Sequence, residues 1–276
     1  MRSPLITPDE LAALLDDPQL KIVDASWRLD GSDARADFAR RRLPGAVFFD
    51  LDAVSDQRSD LPHMLPSAEV FGEAAGSLGI ARDDRLVIYD EAGLFSAPRV
   101  WWTFRLMGAD RVQVLDGGLP AWLAGGHPVD DGPPTTPTPT EFAAKRRPGQ
   151  VADLPMVLSA LTGEAQIVDA RPATRFSGQA AEPRPGLRSG HMPGALNLPF
   201  KSVIGEDGVM LRGQALEARF TEAGVDLDRP ILTSCGSGVT AAVLTLALAE
   251  LGRDSVLYDG SWAEWGGRDD TPVATG

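Results

Sequence analysis

The chemistry of this chain is concentrated in Ile231-Leu-Thr-Ser-Cys-Gly-Ser-Gly-Val-Thr240, an apolar run ending at Cys235, the only cysteine among 276 residues. Gly236 and Gly238 alternate after it, and Ala241–Leu251 then reads as a helix that Gly252 can close. Glycines permit a turn tight enough for successive backbone N–H groups to point inward, and the positive end of the following helix adds to that field. Gly236, Gly238, Val239 and Thr240 therefore form the candidate cradle for an anionic group. A sulfur at the mouth of such a loop is expected as thiolate, the nucleophilic form. Cys235 is read as a nucleophile rather than as an inert strand-end cysteine.

Such a cradle asks for an anionic substrate, and the chain as a whole does not attract one. It carries 26 basic against 39 acidic residues, a net charge of −13, with 43% hydrophobic and 24% charged residues. That balance gives no general attraction for nucleic acid or an anionic membrane, and neither is expected as a partner. The exception is local: Arg171–His191 contains Arg171, Arg175, Arg184 and Arg188 with Glu182 as its one acid. Guanidinium forks bind carboxylates in bidentate fashion, and Arg175 and Arg184 are assigned to the substrate. Arg171 and Arg188 read equally well as structural.

Other cysteine chemistries fit less well. A Cys-x5-Arg phosphatase loop needs arginine where Ala241 stands, and the Gly-Lys-Ser/Thr of a P-loop is absent. A cysteine protease needs a histidine at the thiol. His127 lies in a Gly-Gly-His-Pro turn and His191 heads a strand-entry turn, which leaves His63, in an exposed-looking loop. A single cysteine excludes an internal disulfide and a Cys-rich zinc site, and no metal or organic cofactor is expected. The stretch Met1–Glu10 has no apolar core of a leader, and no run approaches membrane-spanning length; a reducing, cytoplasmic location is expected.

The elements that must position these residues are written twice. Lys21–Ala25 and Gln166–Ala170 read as strands ending in an acid, and Arg85–Asp90 answers Pro230–Ser234. Asp24 and Asp169 stand 145 residues apart, Asp90 and Cys235 also 145, Pro44 and Pro193 149, and Trp122 and Trp265 143. Such constant offsets indicate duplication, and strands alternating with helices indicate an α/β fold, each half a mainly parallel sheet flanked by helices. Pro133-Pro-Thr-Thr-Pro-Thr-Pro139 is too proline-rich for helix or central strand and reads as a stiff extended connector. The expected division is 1–130 for a first copy, 131–150 for the linker and 151–276 for a catalytic copy. Asp90 stands where Cys235 stands and lacks the Gly-x-Gly loop, so the first copy is expected to supply no nucleophile.

Taken together these pieces resemble the tandem-domain rhodanese-type sulfurtransferases over essentially the whole chain. The resemblance is carried by Gly190-His-Met-Pro-Gly-Ala195, Leu43-Pro-Gly-Ala46, Asp259-Gly-Ser-Trp262 and the loop Cys235-Gly-Ser-Gly-Val-Thr240. That loop resembles the branch acting on 3-mercaptopyruvate, whereas the thiosulfate branch carries basic residues where Gly236 and Ser237 stand. The resemblance implies that Arg175 and Arg184 hold the carboxylate and keto oxygens of the donor. It implies a proton relay of Ser237, His63 and Asp52, and a Cys235 persulfide passed to cyanide or to a thiol, a thioredoxin-like protein being one candidate acceptor. Val54 stands where some relatives carry a second cysteine, which speaks against a thiol-pair switch. Two other readings remain: a thiosulfate sulfurtransferase, and a non-catalytic carrier that receives sulfur on Cys235 without turning over small donors.

Overall fold

The computed structural model describes residues 3–276. Met1 and Arg2, the start of the stretch read for a leader, lie outside the described residues. The chain forms two compact units. One comprises the residues through Gln57 with Leu65–Arg147 and Glu206–Val209; the other comprises Arg58–Met64, Pro148–Gly205 and Met210–Gly276.

The first unit holds β1 (Leu5–Ile6), β2 (Leu20–Asp24), β3 (Val47–Phe48), β4 (Arg85–Tyr89) and β5 (Val112–Leu115), in the order β1-β5-β4-β2-β3. The second holds β6 (Val151–Ala152), β7 (Gln166–Asp169), β8 (Leu196–Asn197), β9 (Ile231–Ser234) and β10 (Val256–Tyr258), in the order β6-β10-β9-β7-β8. Every pairing within both sheets is parallel. The two orders superimpose strand for strand, so the duplication read from residue offsets is a duplication of topology. The central strands are buried along almost their whole length, β4 from Leu86 through Tyr89 and β9 throughout, as strands covered on both faces require.

Local signals place the helices. Thr7 and Glu10 form a reciprocal capping box at helix Pro8–Ala12, and Ser67 and Asp153 cap Ala68–Ser77 and Leu154–Ala160. Helix Ala241–Glu250, after β9, is buried from Ala241 through Leu248, and its all-round apolar sequence is the composition of a core helix. Gly252 follows it at φ 71°. The structure adds elements that periodicity does not reveal: the short edge strands β1 and β6, helix Ala34–Arg40, and the single turns Leu51–Val54 and Ala173–Phe176.

The proline-rich stretch carries no helix or strand and is laid along the first unit. Thr140 donates to the Gly76 carbonyl and Lys145 to that of Met107, both at 2.9 Å. The Phe142 ring meets Phe71 and Phe104 edge-on. Gly76 has to be glycine, because a Cβ there would lie 2.4 Å from the Thr140 carbonyl oxygen.

The environment of the repeated acid that ends β2 and β7 has diverged. Asp169 is neutralised by Arg171, two residues on, whereas the first copy has Ser26 at that place. Burial pushes the Asp24 carboxyl up to about 6, with the Ser26 and Tyr89 hydrogen bonds opposing the shift. A carboxyl that binds its proton more tightly in the folded state stabilises the fold at low pH. That contribution is lost as pH rises from about 4 through about 6, up to about 3 kcal/mol in all. Urea midpoints for the wild type should therefore fall across that window, and Asp24→Asn should flatten the slope. An unchanged slope in the variant would place the proton elsewhere.

Candidate active site

Cys235 lies directly after β9, at the carboxyl end of a central strand, where parallel sheets place their sites. The residue is 2% exposed. The turn after it is shaped by Gly238 at φ 77°, a value that suits glycine, and leads into the N-terminus of Ala241–Glu250. The first amides of a helix have no intrahelical acceptor, so this loop presents donors at the sulfur's end of the strand.

A second turn holds the loop from behind. After β10 the chain runs Asp259-Gly-Ser-Trp262 into helix Ser261–Trp265. The Trp262 and Ala263 amides donate to the carbonyls of Cys235 and Gly236, both at 2.9 Å. The Cys235 amide donates to Ser261 Oγ at 3.3 Å, and that hydroxyl donates to the Tyr258 carbonyl. Ser261 is fully buried at φ 49°, a left-handed conformation rare for a residue with a Cβ. The carbonyls of the first two loop residues are thus turned away and satisfied. Ser261 is a site residue that sequence reasoning reached only as part of a motif.

Ser237 and His63 meet: Nδ1 of His63 lies 3.0 Å from Ser237 Oγ, and both residues are 6% exposed. His63 itself is therefore buried, although most of the loop around it, from Asp60 to Leu65, is half-buried or exposed. His63 belongs to Arg58–Met64, which is part of the unit that contains Cys235, although it is encoded in the first half of the chain. Its φ of 60° is again left-handed, a conformation that histidine adopts more readily than most residues. Asp52 lies in the other unit, where its carboxylate accepts from Trp27 Nε1 at 2.9 Å.

The arginine cluster separates by role. Arg171 is 1% exposed, grips Asp169 through Nε and Nη2, reaches Glu182 at 2.8 Å and the Gly190 carbonyl at 2.9 Å, and lies 4.2 Å above the Trp262 ring. Arg188 donates to the carbonyls of Trp265, Gly266 and Thr271 and is capped in turn by the Trp262 indole. Both have the structural role. Burial works against the charged form of Arg171, yet Asp169 and Glu182 hold its pKa above the usual arginine value. Arg175, on the single turn Ala173–Phe176, pairs with Glu182 and comes to the Cys235 loop. A Cβ placed on Gly236 would stand 3.0 Å from Arg175 Nη2. A side chain at position 236 would therefore press on the Arg175 guanidinium, which would have to give way slightly. Arg184 is partly buried two residues beyond Glu182. The remaining histidines are packing groups: His191 stacks on Phe176 and His127 lies against Trp122.

The first unit shows what the equivalent loop does without a thiol. Asp90, directly after β4, is buried, and its carboxylate accepts from the amides of Ala92, Phe95, Ser96 and Ala97 at 2.8 to 3.0 Å. Burial raises its pKa, and those four amides oppose the rise. The place that Cys235 holds in the second unit is here an anion cradle closed on its own side chain. Asp90→Ala should therefore lower stability by about 2–4 kcal/mol, because buried donors lose their acceptor. Turnover per folded molecule should hold within about twofold, since no reacting group is removed. A denaturant titration and an active-site count on the same sample separate the two. A large loss of turnover in fully folded protein would give Asp90 a role in the chemistry.

The chain matches the rhodanese-like domain twice, over residues 7–125 and 156–268. It is 47% identical over 270 residues to the 3-mercaptopyruvate sulfurtransferase of Escherichia coli K12, covering 96% of this chain and 95% of the relative. It is 40% identical over 294 residues to the mitochondrial thiosulfate/3-mercaptopyruvate sulfurtransferase 1 of Arabidopsis thaliana, covering 98% and 78% respectively. Among solved structures it resembles SseA of Escherichia coli, described as having the rhodanese fold of 3-mercaptopyruvate sulfotransferases. That match has a TM-score of 0.86 and 42% identity, covering 95% of this chain and 99% of that one.

Proposed function

The chain belongs to the rhodanese family as two tandem copies of its domain, and from that premise we propose that it is a 3-mercaptopyruvate sulfurtransferase working through a persulfide on Cys235. The observation that carries this reading is the charge around the nucleophile. The loop positions after Cys235 are Gly236 and Ser237, without a cation, while the guanidinium of Arg175 reaches the loop from the side. Thiosulfate is a compact dianion with its charge close to the sulfur that moves, and it calls for cations beside the thiol. Mercaptopyruvate carries its carboxylate two carbons from the sulfur, where arginines from another segment can hold it.

The proposed reaction uses these residues as follows. The Cys235 thiolate attacks the donor sulfur, forming an S–S bond as the C–S bond breaks. The electron pair of that bond goes to carbon, giving the enolate of pyruvate, which takes up a proton and leaves. Arg175 and Arg184 stabilise the negative charge developing on the keto oxygen and carboxylate. Ser237 and His63, in hydrogen-bond contact, move the proton. Amides of Gly236, Gly238, Val239 and Thr240 cradle the outer sulfur of the persulfide. A thiolate or cyanide then attacks that sulfur and returns Cys235 as thiolate, a double displacement needing no metal or organic cofactor.

The working division is 1–130 without nucleophile, 131–150 as connector and 151–276 as the catalytic copy. A thioredoxin-like protein suits the role of thiol acceptor, and a cytoplasmic setting suits an unprotected single thiol. No helix among the described residues is long and apolar enough to cross a membrane.

Steady-state kinetics with each donor and cyanide test the proposal. Catalytic efficiency with 3-mercaptopyruvate should exceed that with thiosulfate by about a hundredfold. Equal or better use of thiosulfate would overturn the donor assignment. Sulfur loading from another enzyme without turnover of either donor would make the protein a carrier.

A further inference from the structure

We propose that Glu182 is a positioning and donor-selecting residue: its buried carboxylate aims Arg175 at the Cys235 loop and cancels one positive charge there, favouring donors with a single negative charge over dianions. The inference rests on the sulfurtransferase reading and deepens it.

Glu182 is the one acid among the four arginines of Arg171–His191, and its side chain is 1% exposed. It is shared. Oε1 accepts from Arg171 Nη1 at 2.8 Å and from Arg175 Nε at 3.2 Å, while Oε2 takes Arg175 Nη2. Arg171 is itself clamped to Asp169 at the end of β7 and seated on Trp262, whose amide holds the Cys235 carbonyl. A rigid path therefore runs from the sheet through Asp169, Arg171 and Glu182 to Arg175. It is fastened to the turn that also fastens the nucleophile.

Two consequences follow. Glu182 engages Nε and Nη2 of Arg175, which fixes the plane of the fork and leaves Nη1 for a ligand. A guanidinium loses less on binding when its plane is already set. The second consequence concerns charge. Asp169, Arg171, Glu182 and Arg175 sum to zero, so the cluster offers hydrogen-bond direction without a net cationic field. At a given distance a dianion feels any change in that sum twice as strongly as a monoanion. Removing the Glu182 charge should therefore help thiosulfate, while loosening Arg175 should hinder mercaptopyruvate.

Glu182→Gln and Glu182→Asp separate the two effects, because the first keeps length without charge and the second keeps charge without length. Wild-type donor kinetics and persulfide formation are measured first, so failure of the sulfurtransferase reading is visible before any Glu182 variant is made. In Glu182→Gln, KM for mercaptopyruvate should rise about tenfold with kcat within about threefold, and thiosulfate efficiency should rise about tenfold. In Glu182→Asp, KM for mercaptopyruvate should rise while thiosulfate efficiency stays near wild type. On an Arg175→Lys background, Glu182→Gln should add little further to KM, because the residue acts through Arg175. Equal loss with both donors, additivity on that background, or a lower melting temperature with unchanged kinetics would each reduce Glu182 to scaffold. Should Glu182→Gln fail to fold, a wild-type KM in Glu182→Asp overturns the positioning role, and a raised one supports it.

Discussion

Cys235→Ser should abolish turnover with every donor, by on the order of a thousandfold or more, and should leave the protein folded. The substitution exchanges one small buried side chain for another, and the site's hydrogen bonds to the loop run through the backbone of residue 235: its amide to Ser261 Oγ and its carbonyl to Trp262. None of these depends on sulfur. The hydroxyl lacks what the thiol supplies, an ionisable and polarisable nucleophile that can carry a second sulfur atom. Intact-mass measurement after adding donor without acceptor should show one extra sulfur atom on the wild type, removed by cyanide. The variant should show none. Since Cys235 is the only cysteine in the chain, an adduct that survived in Cys235→Ser would disprove the persulfide assignment.

Sequence carried the architecture well because the fold repeats. Asp24 and Asp169, Asp90 and Cys235, Trp122 and Trp265 are anchored by the same strands and turns. A near-constant offset between such residues needs no knowledge of contacts. The elements that escaped are those with little pattern to offer. Helix Ala34–Arg40 buries only Phe38 and so has no apolar stripe, although Asp33 caps it. The turn Ala173–Phe176 buries nothing, yet it is the one that delivers Arg175.

Within the candidate site, Cys235 and its glycine loop are local in sequence, whereas the residues that meet them are not. Ser237 and His63 are 174 residues apart, and only folding shows that Arg58–Met64 packs as part of the unit holding Cys235. The separation of the arginines is likewise invisible in their spacing. Arg171 and Arg188 have the same neighbours in composition as Arg175, but their donors are consumed by Asp169 and by backbone carbonyls. Glu182 was conspicuous as a lone acid in a basic stretch, and that anomaly was the available sign of its shared pairing.

Arg175→Ala should cost about 2–5 kcal/mol of transition-state stabilisation with mercaptopyruvate, roughly thirtyfold to several thousandfold in kcat/KM. The Arg175 guanidinium lies against the Cys235 loop, close enough that a Cβ on Gly236 would press on it. Its charge-assisted hydrogen bonds strengthen as the departing pyruvate gathers negative charge, so kcat should fall along with a rise in KM. Stability should change far less than activity, because Glu182 keeps its 2.8 Å contact with Arg171 and is not left as an unpaired buried charge. Arg171→Ala supplies the contrast. It removes the only guanidinium on buried Asp169 and one of the two on Glu182, which keeps Arg175, and it should fail first in folding, with a lowered denaturation midpoint. Equal kinetic damage from the two variants in well-folded protein would mean that the donor's carboxylate is held by something other than Arg175.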